Sequence, residues 1–99
     1  MVSKIVIQHP VADFQAWKKA FDSDPVGRAK NGVTRHTIHR IADDPNQVVV
    51  HLEFASLEQA QKFLPVLREM WRRVGDKIGF GGAEGVQAQI LDEIERVDY

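Results

Sequence analysis

Val33-Thr34-Arg35-His36-Thr37-Ile38-His39-Arg40-Ile41, then Ala42-Asp43-Asp44-Pro45-Asn46, then Gln47-Val48-Val49-Val50-His51-Leu52-Glu53-Phe54 is the stretch on which the fold turns. Both outer runs are rich in β-branched residues, which suit the pleated surface of a strand. Between them, short polar side chains bond their own backbone and Pro45 pre-sets one dihedral, which is turn chemistry. The pattern predicts a β-hairpin with strands over 33–41 and 47–54. Placing Ile41 opposite Val48 sets His36 against Glu53, Ile38 against His51 and Arg40 against Val49, all on one face. Val48, Val50, Leu52 and Phe54, with Thr37, His39 and Ile41, form the more apolar face, which should lie under helices.

Immediately after the hairpin, Ser56-Leu57-Glu58-Gln59 is a capping box, and Leu57, Ala60, Leu64, Leu67, Trp71 and Val74 continue at helical spacing. Pro65 interrupts that stripe, predicting a kink or two consecutive helices. Arg72 and Arg73 suit the last turn, Gly75 a stop, and 79–85 a loop. The alternation Val86-Gln-Ala-Gln-Ile90 predicts a last strand that loses phase near Asp92, as at a bulge or bend. Ahead of the hairpin, Lys4-Ile5-Val6-Ile7-Gln8 reads as a strand stopped by Pro10. Asp13 caps a helix carrying Phe14, Trp17 and Phe21 on one side. Asp24-Pro25 and Asn31-Gly32 bracket a short second helical segment.

The order strand, helix, strand, strand, helix, strand is the ferredoxin-like βαββαβ arrangement, an α+β fold: a four-stranded antiparallel sheet with both helices on one face. No repeat or linker divides residues 1–99, so one domain is expected. At 99 residues the core is thin, and the uncovered sheet face predicts a homodimer. The composition, 43% hydrophobic and 27% charged with a net charge of -1, gives no electrostatic case for a nucleic-acid or anionic-membrane surface. The chain contains no cysteine, which removes disulfides, thiolate catalysis and sulfur-bound zinc. The apolar run at the start is too short for a signal or a membrane span, so a cytoplasmic location is expected.

His9-Pro10-Val11-Ala12-Asp13-Phe14 leading to Trp17-Lys18 and Phe21-Asp22, then Arg40, Asp43-Asp44-Pro45-Asn46, Val48-Val49-Val50 and Leu52-Glu53-Phe54, resembles small cyclase-like proteins of the dimeric α+β barrel superfamily. Antibiotic biosynthesis monooxygenases belong to the same superfamily. The resemblance covers nearly the whole chain. It implies that the open sheet face packs on a second copy and encloses a cavity, and it fixes the chemistry much less.

His51 and Glu53 are the expected catalytic pair: two residues apart on one strand, they point into the same space, an imidazole and a carboxylate suited to proton transfer. His36, His9 and Arg40 are the expected ligand contacts, with Arg40 able to hold a carboxylate bidentately. The competing readings are an interface or solvated pair for His36, His51 and Glu53, an ion pair with Asp43 or Asp44 for Arg40, and a turn histidine for His9. His39 reads as a hydrogen-bonded core histidine, Trp17 and Trp71 as core. Gly79-Phe80-Gly81-Gly82-Ala83-Glu84-Gly85 follows a helix and precedes a strand, the reverse of a phosphate-binding loop, and reads better as a cover for the cavity mouth.

No metal site and no cofactor are expected. Haem-degrading members of the superfamily present a histidine from a helix, whereas all four histidines here fall on strands or a strand end. Two functions remain open: a cofactor-independent monooxygenase, isomerase or cyclase acting on a small, largely apolar, aromatic or enolisable molecule, and a non-catalytic ligand-binding or accessory dimer.

Overall fold

The structure, a computed structural model, describes residues 3–24, 26–74 and 86–99. The expected stop at Gly75, the loop over 79–85 and the Pro25 start of the short helical segment lie outside the described residues. Strand β1 (Ser3–Pro10) leads to helix α1 (Phe14–Asp22), a 3-10 turn (Ala29–Asn31), strands β2 (Val33–Ile41) and β3 (Asp44–Phe54), helix α2 (Leu57–Val74) and strand β4 (Gln87–Asp92). The strands pair in the order β2-β3-β1-β4, every neighbour antiparallel. This is the α+β ferredoxin-like fold.

Strict alternation in β1 and β3 builds the core. Ser3, Ile5, Ile7 and His9 are buried with Val48, Val50, Leu52 and Phe54 on the helix side, while Lys4, Val6, Gln8 and Val49, His51, Glu53 turn the other way. α2 seals that side with Ala60, Phe63, Leu64, Leu67, Met70 and Trp71, all buried. Each fully buried branched or aromatic side chain contributes roughly 1.5–3 kcal/mol, so this layer carries most of the stability. Phe63 and Met70 widen the expected stripe, and Leu57, expected on it, is 37% exposed at the first turn.

Asp13 caps α1 by accepting from the Ala16 amide at 3.2 Å. The Asp24 carboxylate accepts from the Arg28 amide at 3.0 Å, and the segment it introduces is only the 3-10 turn, ended by Gly32 at φ 97°. α2 runs through Pro65 as one helix, so the two-helix alternative does not hold. The ring is exposed, and its missing amide costs one bond on the solvent side.

The hairpin departs from its expected register. Ala42 and Asp43 alone form the turn, with Ile41 opposite Asp44, and β3 then inserts extra residues so that Arg40 lies opposite Val48. The irregularity has a local cause: Pro45 has no amide to offer β2, the Asn46 amide turns to the Asp44 carboxylate at 3.2 Å, and the Asn46 carbonyl accepts from Val11 at 2.7 Å. A second irregularity between Val33 and Arg35 is bridged by the Thr34 hydroxyl, which donates to the Glu53 carbonyl at 3.2 Å. Between them β2 is displaced one residue from the expected pairing, which exchanges its two faces.

Candidate functional site

The face of the sheet away from the helices is built in cross-strand rows. Leu91, Lys4, Glu53 and Arg35 form one row, Gln89, Val6, His51 and Thr37 the next, and Gln87, Gln8, Val49 and His39 a third. His51 and Glu53 therefore share this face, as expected. The displaced register gives His51 a different companion: His39, expected in the core, stands on the open face with its ring centroid 5.2 Å from that of His51. Arg35 and Lys4 flank Glu53 from the neighbouring strands.

Partial burial holds the His51 pKa below its ordinary 6.5, and the nearby positive charge of Lys4 and then His39 push the same way, against the opposing pull of Glu53. That shift favours the neutral ring, whose lone pair can accept a proton. Toward the other end of the face, Gln8, Pro10, Ile41, Asp44, Gln47 and Gln87 line an open depression of about 410 Å³. The hairpin irregularity shapes it, since Ile41 and Asp44 stand at its edge.

Three expected ligand contacts lie elsewhere. His36 and Arg40 fall on the helix side of β2: the His36 ring meets the edge of Phe21 at 5.1 Å, and the Arg40 guanidinium lies 4.3 Å from the Phe14 ring centre. Arg40 thus takes an aromatic face rather than the expected carboxylates of Asp43 or Asp44. His9 is 3% exposed beneath α1, 5.4 Å from the Trp17 ring, with Nδ1 3.0 Å from the Pro10 carbonyl oxygen, to which it donates when protonated there. Burial lowers its pKa, a shift the Pro10 hydrogen bond opposes. His9 belongs to the core under α1, not to a cavity mouth on the open face.

The aromatic residues of α1 close over this side as a connected row: Phe14 to Trp17 at 5.7 Å, Trp17 to Phe21 at 5.2 Å, and Arg28 3.7 Å over Phe21. The sequence reading missed His39, and no signal in β2 identifies it, because both faces of that strand carry polar residues. Among the described residues, no three His, Asp or Glu side chains are grouped to hold a metal ion, and no helix is long and apolar enough to cross a membrane.

Neither a protein-family model nor a curated protein sequence matches the chain. Solved structures do match it over essentially the whole length. A variant of SnoaB, a cofactor-independent oxygenase from Streptomyces nogalater, superposes with a TM-score of 0.73 at 13% identity, covering 99% of this chain and 98% of that one. The monooxygenase ActVA-Orf6 of Streptomyces coelicolor, in complex with Nanaomycin D, gives 0.64 at 16% identity over 98% and 91%. A dimeric ferredoxin-like protein from an uncultured marine organism gives 0.62 at 13% identity over the full length of both.

Proposed function

We propose that the chain is a homodimer closed through its open sheet face, and that it binds a small, largely apolar, enolisable molecule in the enclosed space. There it acts as a cofactor-independent monooxygenase with His51 as the base. The observation that carries this reading is His51, with its pKa lowered by partial burial, beside His39 and Glu53 on the sheet face that neither described helix covers. The shared fold supports it, since SnoaB is a cofactor-independent oxygenase and ActVA-Orf6 a monooxygenase on the same framework.

A base in that position removes a proton from an activated CH2 group and leaves a carbanion stabilised by the adjacent carbonyl. The carbanion gives its electron pair to O2. Loss of water from the resulting peroxide converts CH2 to C=O, one oxygen atom entering the product and the other leaving as water. His51 takes the first proton, and its imidazolium returns it to the terminal peroxide oxygen; His51 then takes the remaining C–H proton as the C=O bond forms and the O–O bond breaks, and passes it to the departing hydroxide to make water. Glu53, about 7 Å further along the strand, stabilises the imidazolium that forms.

The test uses anthrone as an enolisable probe with O2 uptake as the readout. Parent protein should consume O2 and yield the quinone, His51→Ala should lose at least about 100-fold of that rate, and Glu53→Gln should lose less. Binding without turnover in the parent would favour the ligand-binding dimer. Parent-like turnover in both variants, with lowered melting temperatures, would make the pair structural and this assignment wrong.

A further inference from the structure

Gln8, Gln47 and Gln87 come from three different strands and meet at one end of the open sheet face, where they line the depression of about 410 Å³ with Pro10, Ile41 and Asp44. Each amide offers a carbonyl acceptor and two N–H donors. None of the three side chains makes a hydrogen bond among the described residues. Asp44 is the one ionisable residue among those that line the depression, and it uses only Oδ1 to accept from the Asn46 amide at 3.2 Å. Lys4, Glu53 and Arg35 stand together in the row at the opposite end of the face.

The His51 row lies between these two ends. Gln8 is two residues along β1 from Val6, the partner of His51, and Gln47 is four residues along β3 from His51 itself. At the rise of a strand those steps are about 7 and about 13 Å, the span of two or three fused rings. A flat molecule with its reacting carbon at His51 therefore lays its other end among the three amides. His39, at the β2 end of the Gln8 row, is turned to His51.

The chemistry of that other end follows from what lines the depression. A carboxylate there would give up its hydration beside Asp44, with no cation in the lining to replace it. A bare hydrocarbon would cover the amides and leave them without partners. A carboxamide has a donor and an acceptor side by side, so it can pair reciprocally with a glutamine while its second N–H reaches the free oxygen of Asp44.

We infer that the depression is a subsite for a neutral end of the ligand that both donates and accepts hydrogen bonds, as a primary carboxamide does, and that Gln8, Gln47, Gln87 and Asp44 select it over a carboxylate. This rests on the open face being the ligand site proposed above and adds the chemical class of the ligand's far end.

Equilibrium binding of three forms of anthraquinone to the whole chain tests the inference. The quinone is not enolisable, so binding is read without turnover. The parent should bind the 2-carboxamide at least about tenfold tighter than unsubstituted anthraquinone, and the 2-carboxylate more weakly than either. Gln8→Leu/Gln47→Leu should bring the ratio of carboxamide to unsubstituted affinity close to one, and Asp44→Asn should raise the carboxylate's affinity relative to the unsubstituted quinone about threefold. Each comparison is a ratio within one variant, so a general loosening of the pocket cancels. Equal affinities for carboxamide and unsubstituted quinone in the parent, or a preference that survives in the double glutamine variant, would overturn the subsite, whatever the anthrone test of His51 shows. A carboxylate bound as tightly as the carboxamide would overturn the selection against charge. The expected preference in a protein that consumes no O2 with anthrone would support the subsite and overturn only the monooxygenase reading. Binding of none of the three would overturn the subsite together with the apolar ligand site on which it rests.

Discussion

The rings of His39 and His51 stand 5.2 Å apart on the open sheet face at an interplanar angle of 54°, one from β2 and one from β3. Positive charge on the His39 ring lowers the affinity of His51 for its proton. With burial and the Lys4 charge acting in the same direction, the His51 pKa lies below 6.5.

The first prediction follows from that direction. In a protein using His51 as a base, kcat/KM should be level near neutrality and fall with acid only below pH 6.5, as the depressed pKa is crossed. Lys4→Met and His39→Ala should each move the limb upward by removing positive charge, and Glu53→Gln should move it downward. An NMR titration of the His51 ring checks the same three shifts without any substrate. Shifts of the opposite sign would show that these charges do not govern the site.

His9 predicts the acid response of the fold. Its folded pKa is depressed by burial, whereas in the unfolded chain it returns to about 6.5. Below that value the unfolded state binds the proton more readily, so stability is at its plateau above pH 6.5 and declines as the pH falls toward the depressed folded value. Urea midpoints measured at intervals between pH 8 and 5 should show that decline, and His9→Gln should make it shallower. An equal slope in the variant would assign the acid sensitivity to other groups.

Pro65 lies within α2 with its ring exposed. Pro65→Ala should be near neutral or mildly stabilising, because alanine restores a backbone donor and no buried contact depends on the ring. A loss of more than about 2 kcal/mol in denaturant unfolding would show that the helix needs the proline.

Gly32 closes the 3-10 turn at φ 97°, and an added Cβ would stand 3.0 Å from the Gln59 side chain at the start of α2. Gly32→Ala should cost about 1–2 kcal/mol, most of it from the left-handed backbone, since the exposed Gln59 side chain can swing aside. Adding Gln59→Ala should therefore recover little. Substantial recovery would mean that the contact, not the dihedral, sets the cost.

The sequence by itself determined the order of elements, the Asp13 cap on α1, and which residues of β3 face the helices. In β3 the alternating side chains of Val48, Val50, Leu52 and Phe54 are all apolar, so burial permits one orientation and carries His51 and Glu53 to the opposite face. β2 offers no such contrast: Arg35, Thr37 and His39 alternate with His36, Ile38 and Arg40, and either set can face water. Its orientation was decided in three dimensions by the two-residue turn at Ala42-Asp43, the absent Pro45 amide and the Asn46 carbonyl held by Val11. Those local bonds displace β2 by one residue, and because side chains in a strand point to opposite faces in turn, that single step put His39 beside His51 and sent His36 and Arg40 to the aromatic face of α1.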